Sequence, residues 1–338
     1  MPRSWFGSMS LALTVTFLSA CGVIDTWVED SVATPSPDMS VQITPLSRAT
    51  LSSTVIAPID CKRIAFVLFN FVDFKNPDIY TACPDGSTLQ QLTFDPSSDT
   101  DPVWSPDGER IAFTSERTGD NQIFVMDADG QSLLQLTFDY KNDLPVWLPH
   151  GGHIAFRTSD GQGLWWWRIL DIASGEISDF TEPSFDFFYQ TPAWSPDGQF
   201  IAYMSLLAQK ERNDGASQIH VRAVNGSSDV ALTNDTWANV KPIWSPDGEK
   251  IAFLSERDGN YHIFALYVMD SDGKNVQRLT EPSYTEMASF TWSLDGSQIA
   301  IGDIAFGHIY IFDLDTGNKR EFLALQNGEA VLAPSWQP

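Results

Sequence analysis

Trp104-Ser-Pro-Asp-Gly108 returns down the chain as Trp147-Leu-Pro-His-Gly151, Trp194-Ser-Pro-Asp-Gly198, Trp244-Ser-Pro-Asp-Gly248 and Trp292-Ser-Leu-Asp-Gly296, each followed within three residues by Ile-Ala. The tryptophans are 43, 47, 50 and 48 residues apart, and Trp336, in Ala-Pro-Ser-Trp, falls a further 44 on. A period of this length suits one four-stranded propeller blade per repeat, a unit that cannot bury its apolar face until neighbours stack on it.

The residues around Trp104 show why each repeat reads as strands. Proline has no backbone donor, so Pro102-Val-Trp104 fits a strand with a free edge, as the innermost strand beside a channel has. In Ser105-Pro-Asp-Gly108, proline presets φ and glycine accepts positive φ, which reverses the chain. Ile111-Ala-Phe-Thr114, Ile123-Phe-Val-Met126 and Leu133 to Thr137 read as the second, third and outer strands, separated by Ser115-Glu-Arg-Thr-Gly119 and Asp127-Ala-Asp-Gly130. The aspartate-rich turns lack the further spaced oxygen ligands of a calcium loop and read as strand connections.

The array is incomplete at both ends in complementary ways. Arg63-Ile-Ala-Phe66, Asp78-Ile-Tyr-Thr81 and Leu89 to Thr93 supply second, third and outer strands without a first, whereas Val331 to Pro338 supply a first strand alone. Joined, they make one blade. The expected fold is therefore all-β, a six-bladed β-propeller over residues 61–338 whose first blade the C-terminal strand completes, leaving no open sheet edge in the ring.

These repeats, with Ser115-Glu-Arg-Thr-Gly119 and Ser255-Glu-Arg-Asp-Gly259, and with Val125-Met-Asp-Ala-Asp-Gly130 and Val268-Met-Asp-Ser-Asp-Gly273, resemble the TolB-like propeller proteins, the family of the periplasmic translocation protein's propeller domain. The resemblance runs from about residue 61 to the end. Leu148 and His150 in the third blade's turn, Leu294 in the sixth and an excursion from Leu206 to Ser217 depart from the pattern. It implies a module that docks a protein partner, as the family's namesake docks a peptidoglycan-associated lipoprotein. Here the propeller is expected as a lipoprotein without the namesake's N-terminal domain.

Residues 1–20 read as a signal peptide: Arg3 precedes the short apolar core Leu11 to Leu18. Leu18-Ser-Ala-Cys21 resembles a bacterial lipobox, so cleavage before Cys21 and lipidation of its thiol are expected. Residues 21–60, rich in Ser, Thr and Pro, read as a flexible tether. The expected product is an exported, membrane-anchored bacterial lipoprotein facing the periplasm or the cell exterior. Of the three cysteines, Cys61 and Cys83 remain; they precede a second strand and follow a third in one blade, which makes a disulfide geometrically plausible.

A formal charge of −24 argues against nucleic-acid binding and against electrostatic attachment to anionic lipid, leaving the anchor as the membrane contact. The inter-blade connections carry carboxylates, among them Asp99, Asp101, Asp143 and Glu286, and aromatics at Phe185, Phe187, Tyr189, Trp237 and Tyr284. Strand order puts these connections on one face, the candidate interaction face. The triple Trp165-Trp-Trp167 reads as packing between blades.

No Gly-x-Ser-x-Gly elbow, cofactor motif or metal set is evident. His262 and His308 hold similar repeat positions in adjacent blades, short of a three-ligand metal site. The leading expectation is a non-catalytic module binding an envelope or extracellular protein. The alternative is a carbohydrate-binding propeller or a metal-dependent polysaccharide lyase-like one, glycan being the other possible partner.

Overall fold

The computed structural model describes residues 61–70, 75–181, 191–205, 217–258, 263–282, 289–303, 308–323, 325 and 329–338. The expected signal peptide, Cys21 and tether lie outside them. Among the described residues, twenty-four strands form six four-stranded antiparallel sheets.

β1 (Ile64–Asn70), β2 (Lys75–Ala82) and β3 (Gln90–Gln91) precede the first uninterrupted repeat, β4 (Asp99–Trp104), β5 (Arg110–Ser115), β6 (Gln122–Asp127) and β7 (Leu134–Gln135). Sheet order in that repeat follows chain order. In blade 1 the sheet begins with the C-terminal strand Glu329–Trp336, which pairs β1 with Ile64 opposite Trp336 and Leu68 opposite Val331. Six blades and the composite first blade are thus as the repeat predicts.

The Ser-Pro-Asp-Gly turn is held by its own side chains. The Ser105 hydroxyl donates to Asp107 and accepts from the Arg110 backbone N–H at 2.9 Å, Asp107 accepts from the Glu109 N–H at 3.0 Å, and Gly108 takes a φ of 71°. The same bonds recur around Ser195, Ser245 and Ser293. In blade 3, where Leu148 and His150 replace serine and aspartate, only backbone bonds remain, from Leu148 N–H to His153 and from Gly151 N–H to Leu148. In blades 1 to 5 a threonine follows the outer strand and its hydroxyl accepts the third strand's N–H, as Thr93 does from Ile79 and Thr137 from Ile123, each at 2.9 Å.

The repeated tryptophans stand between blades. Each of six apolar clusters spans two neighbouring sheets and contains one of them: Trp104, Trp147, Trp194, Trp244, Trp292 and Trp336. The indole N–H of Trp147 donates to Val103 of the preceding blade at 3.1 Å, and that of Trp244 to Ala193 at 3.1 Å. The residue thus supplies apolar area and a polar tether to the neighbour's inner strand. Trp166 and Trp167 are buried, in keeping with a packing role.

Closure is specific. The Trp104 backbone N–H donates to the Ser335 hydroxyl, and the Gln337 side chain spans β1 and the next blade, accepting from Arg63 N–H at 3.0 Å and donating to Gly108 at 2.9 Å. Gln337 and Pro338 pack on Gly108 as Pro196 packs on Gly248, so the chain's end takes the place of a Ser-Pro turn. Cys61 and Cys83 are joined by a disulfide across the same blade, their Cα atoms 5.8 Å apart.

Candidate binding face and central channel

Inter-blade connections and the loops between second and third strands share one face. Much of the acidity expected there is consumed internally. Asp99 is fully buried: the Arg117 guanidinium donates to both its carboxylate oxygens at 2.9 Å while stacking over Phe113 and Phe124, 5.5 and 4.9 Å from their centroids. Asp99 therefore offers nothing to a partner, and its place on the interaction face is corrected. The cause is the arginine of Ser115-Glu-Arg117, which folds back over the β4–β5 pair. Arg257 does the same toward Asp235 and Asn239, at 3.0 and 3.1 Å. Asp143 is half-buried and paired with Arg157 through bonds of 2.8 and 2.7 Å.

The face presents rings instead. Trp237 is 40% exposed, with its backbone pinned by a bond from its N–H to Asp235 at 3.0 Å. Phe94, at 75% exposure, Phe138, at 77%, and Tyr140, at 53%, were not singled out by sequence reasoning. Their signal was the repeat Leu-Thr-Phe-Asp at 92–95 and 136–139. Because Thr93 and Thr137 turn inward to cap a strand, the next side chain must turn out. Tyr140 is braced edge-on against Trp166, with 5.3 Å between centroids. Phe185, Phe187, Tyr189, Tyr284 and Glu286 lie outside the described residues.

Asp101 does not stand on the rim. It lines a central channel of about 570 Å³ walled by the inner strands of all six blades, among them Pro102, Pro145, Pro192, Pro242 and Pro334. Desolvation in the channel pushes the Asp101 carboxyl above its ordinary range; the neighbouring Asp143 adds to this, and Thr100, Thr114 and Arg157 oppose it. A carboxyl whose pKa is raised by folding binds protons more tightly in the native state, so its effect on stability worsens as pH rises from about 3.9 through the raised value. Asp101→Asn is expected to raise the unfolding temperature at pH 7 and to leave it unchanged near pH 3, where both states are protonated. Unfolding scans at the two pH values check this; equal effects at both would refute it.

The histidines lie elsewhere. His153 approaches Asp171 at 3.5 Å, His220 pairs with Asp229 at 3.1 Å and His308 with Glu321 at 2.7 Å, while His262 is outside the described residues. Among the described residues no group of three or more His, Cys, Asp and Glu side chains could hold a metal ion. On the turn face a cleft of about 610 Å³ between blades 4 and 5 is lined by Asp197, Asp247 and Asp272 over Phe200, Val221 and Trp244. Each of these carboxylates is committed to its own turn, which holds it below the usual range; the leading partners are Ser195, Ser245 and Lys274.

Residues 49–207 match the family described as "PD40: TolB beta propeller domain". A Bacillus subtilis protein named "Uncharacterized peptidase YuxL" is 30% identical over 158 residues, which are 36% of this chain and 23% of that protein. The Tol-Pal system protein TolB of Bordetella pertussis is 28% identical over 121 residues, 36% of this chain and 27% of that one. The chain thus spans about a quarter of the length of these curated relatives. The crystal structure of TolB from Acinetobacter baumannii superposes with a TM-score of 0.70 at 23% identity, over 82% of this chain and 67% of that one. With the repeat, the six sheets and the composite first blade, these matches show a six-bladed β-propeller of the TolB-like kind, in which residues 49–207 match the TolB beta propeller domain family.

Proposed function

We propose that this propeller is a non-catalytic protein-binding module of a bacterial cell envelope, exported and held to the membrane through lipid on Cys21. The observation that carries the reading is the placing of exposed rings. Phe94, Phe138, Tyr140 and Trp237 all stand on the inter-blade connections, against Phe200 alone on the turn face among the described residues. At the repeat position of Phe94 and Phe138, blades 4 and 5 carry Asn234 and Glu281, so the fold does not require a ring there. Aromatic anchors on a pinned backbone amid charged neighbours suit a protein interface. Docking of protein partners in this family supports the reading, as does the Leu18-Ser-Ala-Cys21 segment for the anchor. The lyase-like alternative expects histidines converging on the channel, and the described lining residues include none.

Affinity capture from detergent-solubilised envelope tests the reading, comparing the wild type with a Phe94→Ser, Phe138→Ser, Trp237→Ser variant of unchanged unfolding temperature. The expected result is a protein retained by the wild type and lost by the variant. Equal retention by both would overturn the proposal.

A further inference from the structure

In blades 2 to 6 the residue six places after the repeated tryptophan opens the second strand and pairs with the residue that closes the third. In four of these blades the pair is polar: Arg110 opposite Asp127, His153 opposite Asp171, Lys250 opposite Asp270 and Gln298 opposite Asp313. Blade 4 departs from this, with Phe200 opposite Ala223. The exchange leaves a ring 37% exposed where the other blades hold a polar head. It also removes a cation from the next blade's tryptophan. Arg110 lays its guanidinium 5.0 Å from the ring centroid of Trp147 in blade 3, whereas Phe200, at the same repeat position, shares a cleft with Trp244 of blade 5.

That cleft, of about 610 Å³, lies within the size range of small-molecule sites. Pro196, Phe200, Val221 and Trp244 supply its apolar wall, and no basic residue is among its described lining. Its carboxylates are only partly used. Asp197 Oδ1 accepts from the Ser195 hydroxyl at 2.6 Å and the Gln199 N–H at 3.0 Å, and Asp247 Oδ1 accepts from the Ser245 hydroxyl and the Glu249 N–H at the same two distances. Among the described residues nothing bonds to Oδ2 of either. Lys250, near Asp247, is engaged by Asp270 at 3.0 Å, and Lys274 by Asp272 at 2.7 Å. The turns thus hold Asp197 and Asp247 ionised while leaving each an oxygen for a further donor.

We propose that the cleft between blades 4 and 5 binds a small organic cation, its planar amidinium or guanidinium head on Asp197 and Asp247 and its apolar body on Phe200 and Trp244. Such a ligand supplies from solution what Arg110 supplies within the chain at blades 2 and 3. A planar head suits the site better than an ammonium, because it stacks on rings and donates to carboxylates in a fixed fork. The site lies on the turn face and does not depend on the aromatic connections opposite.

Titration of the full chain with benzamidine tests the proposal, followed by NMR at the Trp244 indole N–H, a resonance identified by its loss in Trp244→Phe. Saturable binding is expected, with benzamide, the neutral analogue, at least about tenfold weaker and benzylamine in between. Acetyl-Gly-Arg-Gly-amide, which presents the same head on a polar backbone, is expected to bind more weakly than benzamidine because an apolar wall offers that backbone nothing. Asp197→Asn and Asp247→Asn keep an acceptor for their turns and are each expected to weaken benzamidine about tenfold. Phe200→Arg, which installs the residue blade 2 carries, is expected to abolish binding, and Asp107→Asn, the same change in blade 2, to leave it intact. Unfolding temperatures near the wild-type value establish that the variants are folded. Absence of saturable binding, equal affinity for benzamide, tighter binding of the peptide, or undiminished binding by Phe200→Arg would overturn the proposal.

Discussion

A chain lacking Glu329–Pro338 is expected to have no cooperative unfolding transition. That segment is the inner strand of blade 1, and it carries Val331, fully buried, and Trp336, 8% exposed, into the cluster that joins blade 6 to blade 1. Without it β1 is left as an unpaired edge, with Ile64 and Phe66 stripped of their cover. The loss also removes the bonds from Trp104 to Ser335 and from Gln337 to Gly108, which tie blade 1 to blade 2. Global stabilities of about 5–15 kcal/mol cannot absorb the loss of a strand at two inter-blade interfaces. Trp336→Ala within the full chain is a graded version, expected to cost about 3–5 kcal/mol. Thermal unfolding followed by circular dichroism checks both, and a truncated chain melting within a few degrees of the full one would refute the closure.

Asp99→Ala is expected to be the most destabilising single change among the ionic residues, at about 3–5 kcal/mol, because it leaves the Arg117 guanidinium largely buried without its counter-charge. Asp120→Ala breaks an ion pair with Lys141 in which both side chains are more than half exposed, and is expected to cost no more than about 1 kcal/mol. Both carboxylates sit close together in sequence and both belong to ion pairs, so the contrast isolates burial as the cause. Equal losses in urea denaturation of the two variants would refute the assignment.

The architecture was readable because its determinants are local. Trp104-Ser-Pro-Asp-Gly108 encodes a strand end, a turn that bonds to itself and a ring for the next interface within five residues, and the repetition supplied the blade count. Composite closure was legible because each end of the array lacks what the other has. The candidate face was less readable. Asp99 and Arg117 are 18 residues apart, and nothing in either local stretch reveals that the loop arginine turns back over the strand pair rather than out to solvent. Composition therefore counted as surface charge what the fold neutralises. Phe94 and Phe138 were obscured for the opposite reason: in an apolar-rich outer strand a phenylalanine reads as core unless the strand-capping role of Thr93 and Thr137 is recognised first. Asp101 comes to line a central channel only through closure of the ring, which no sequence window contains.

The most direct measurement is photo-crosslinking in intact cells, with a photoreactive amino acid at Phe138 on the inter-blade face or at Leu294 on the turn face, both exposed. Binding through the inter-blade face predicts a discrete protein adduct from position 138 and none from 294. Adducts from 294 alone, or from neither position, would contradict it.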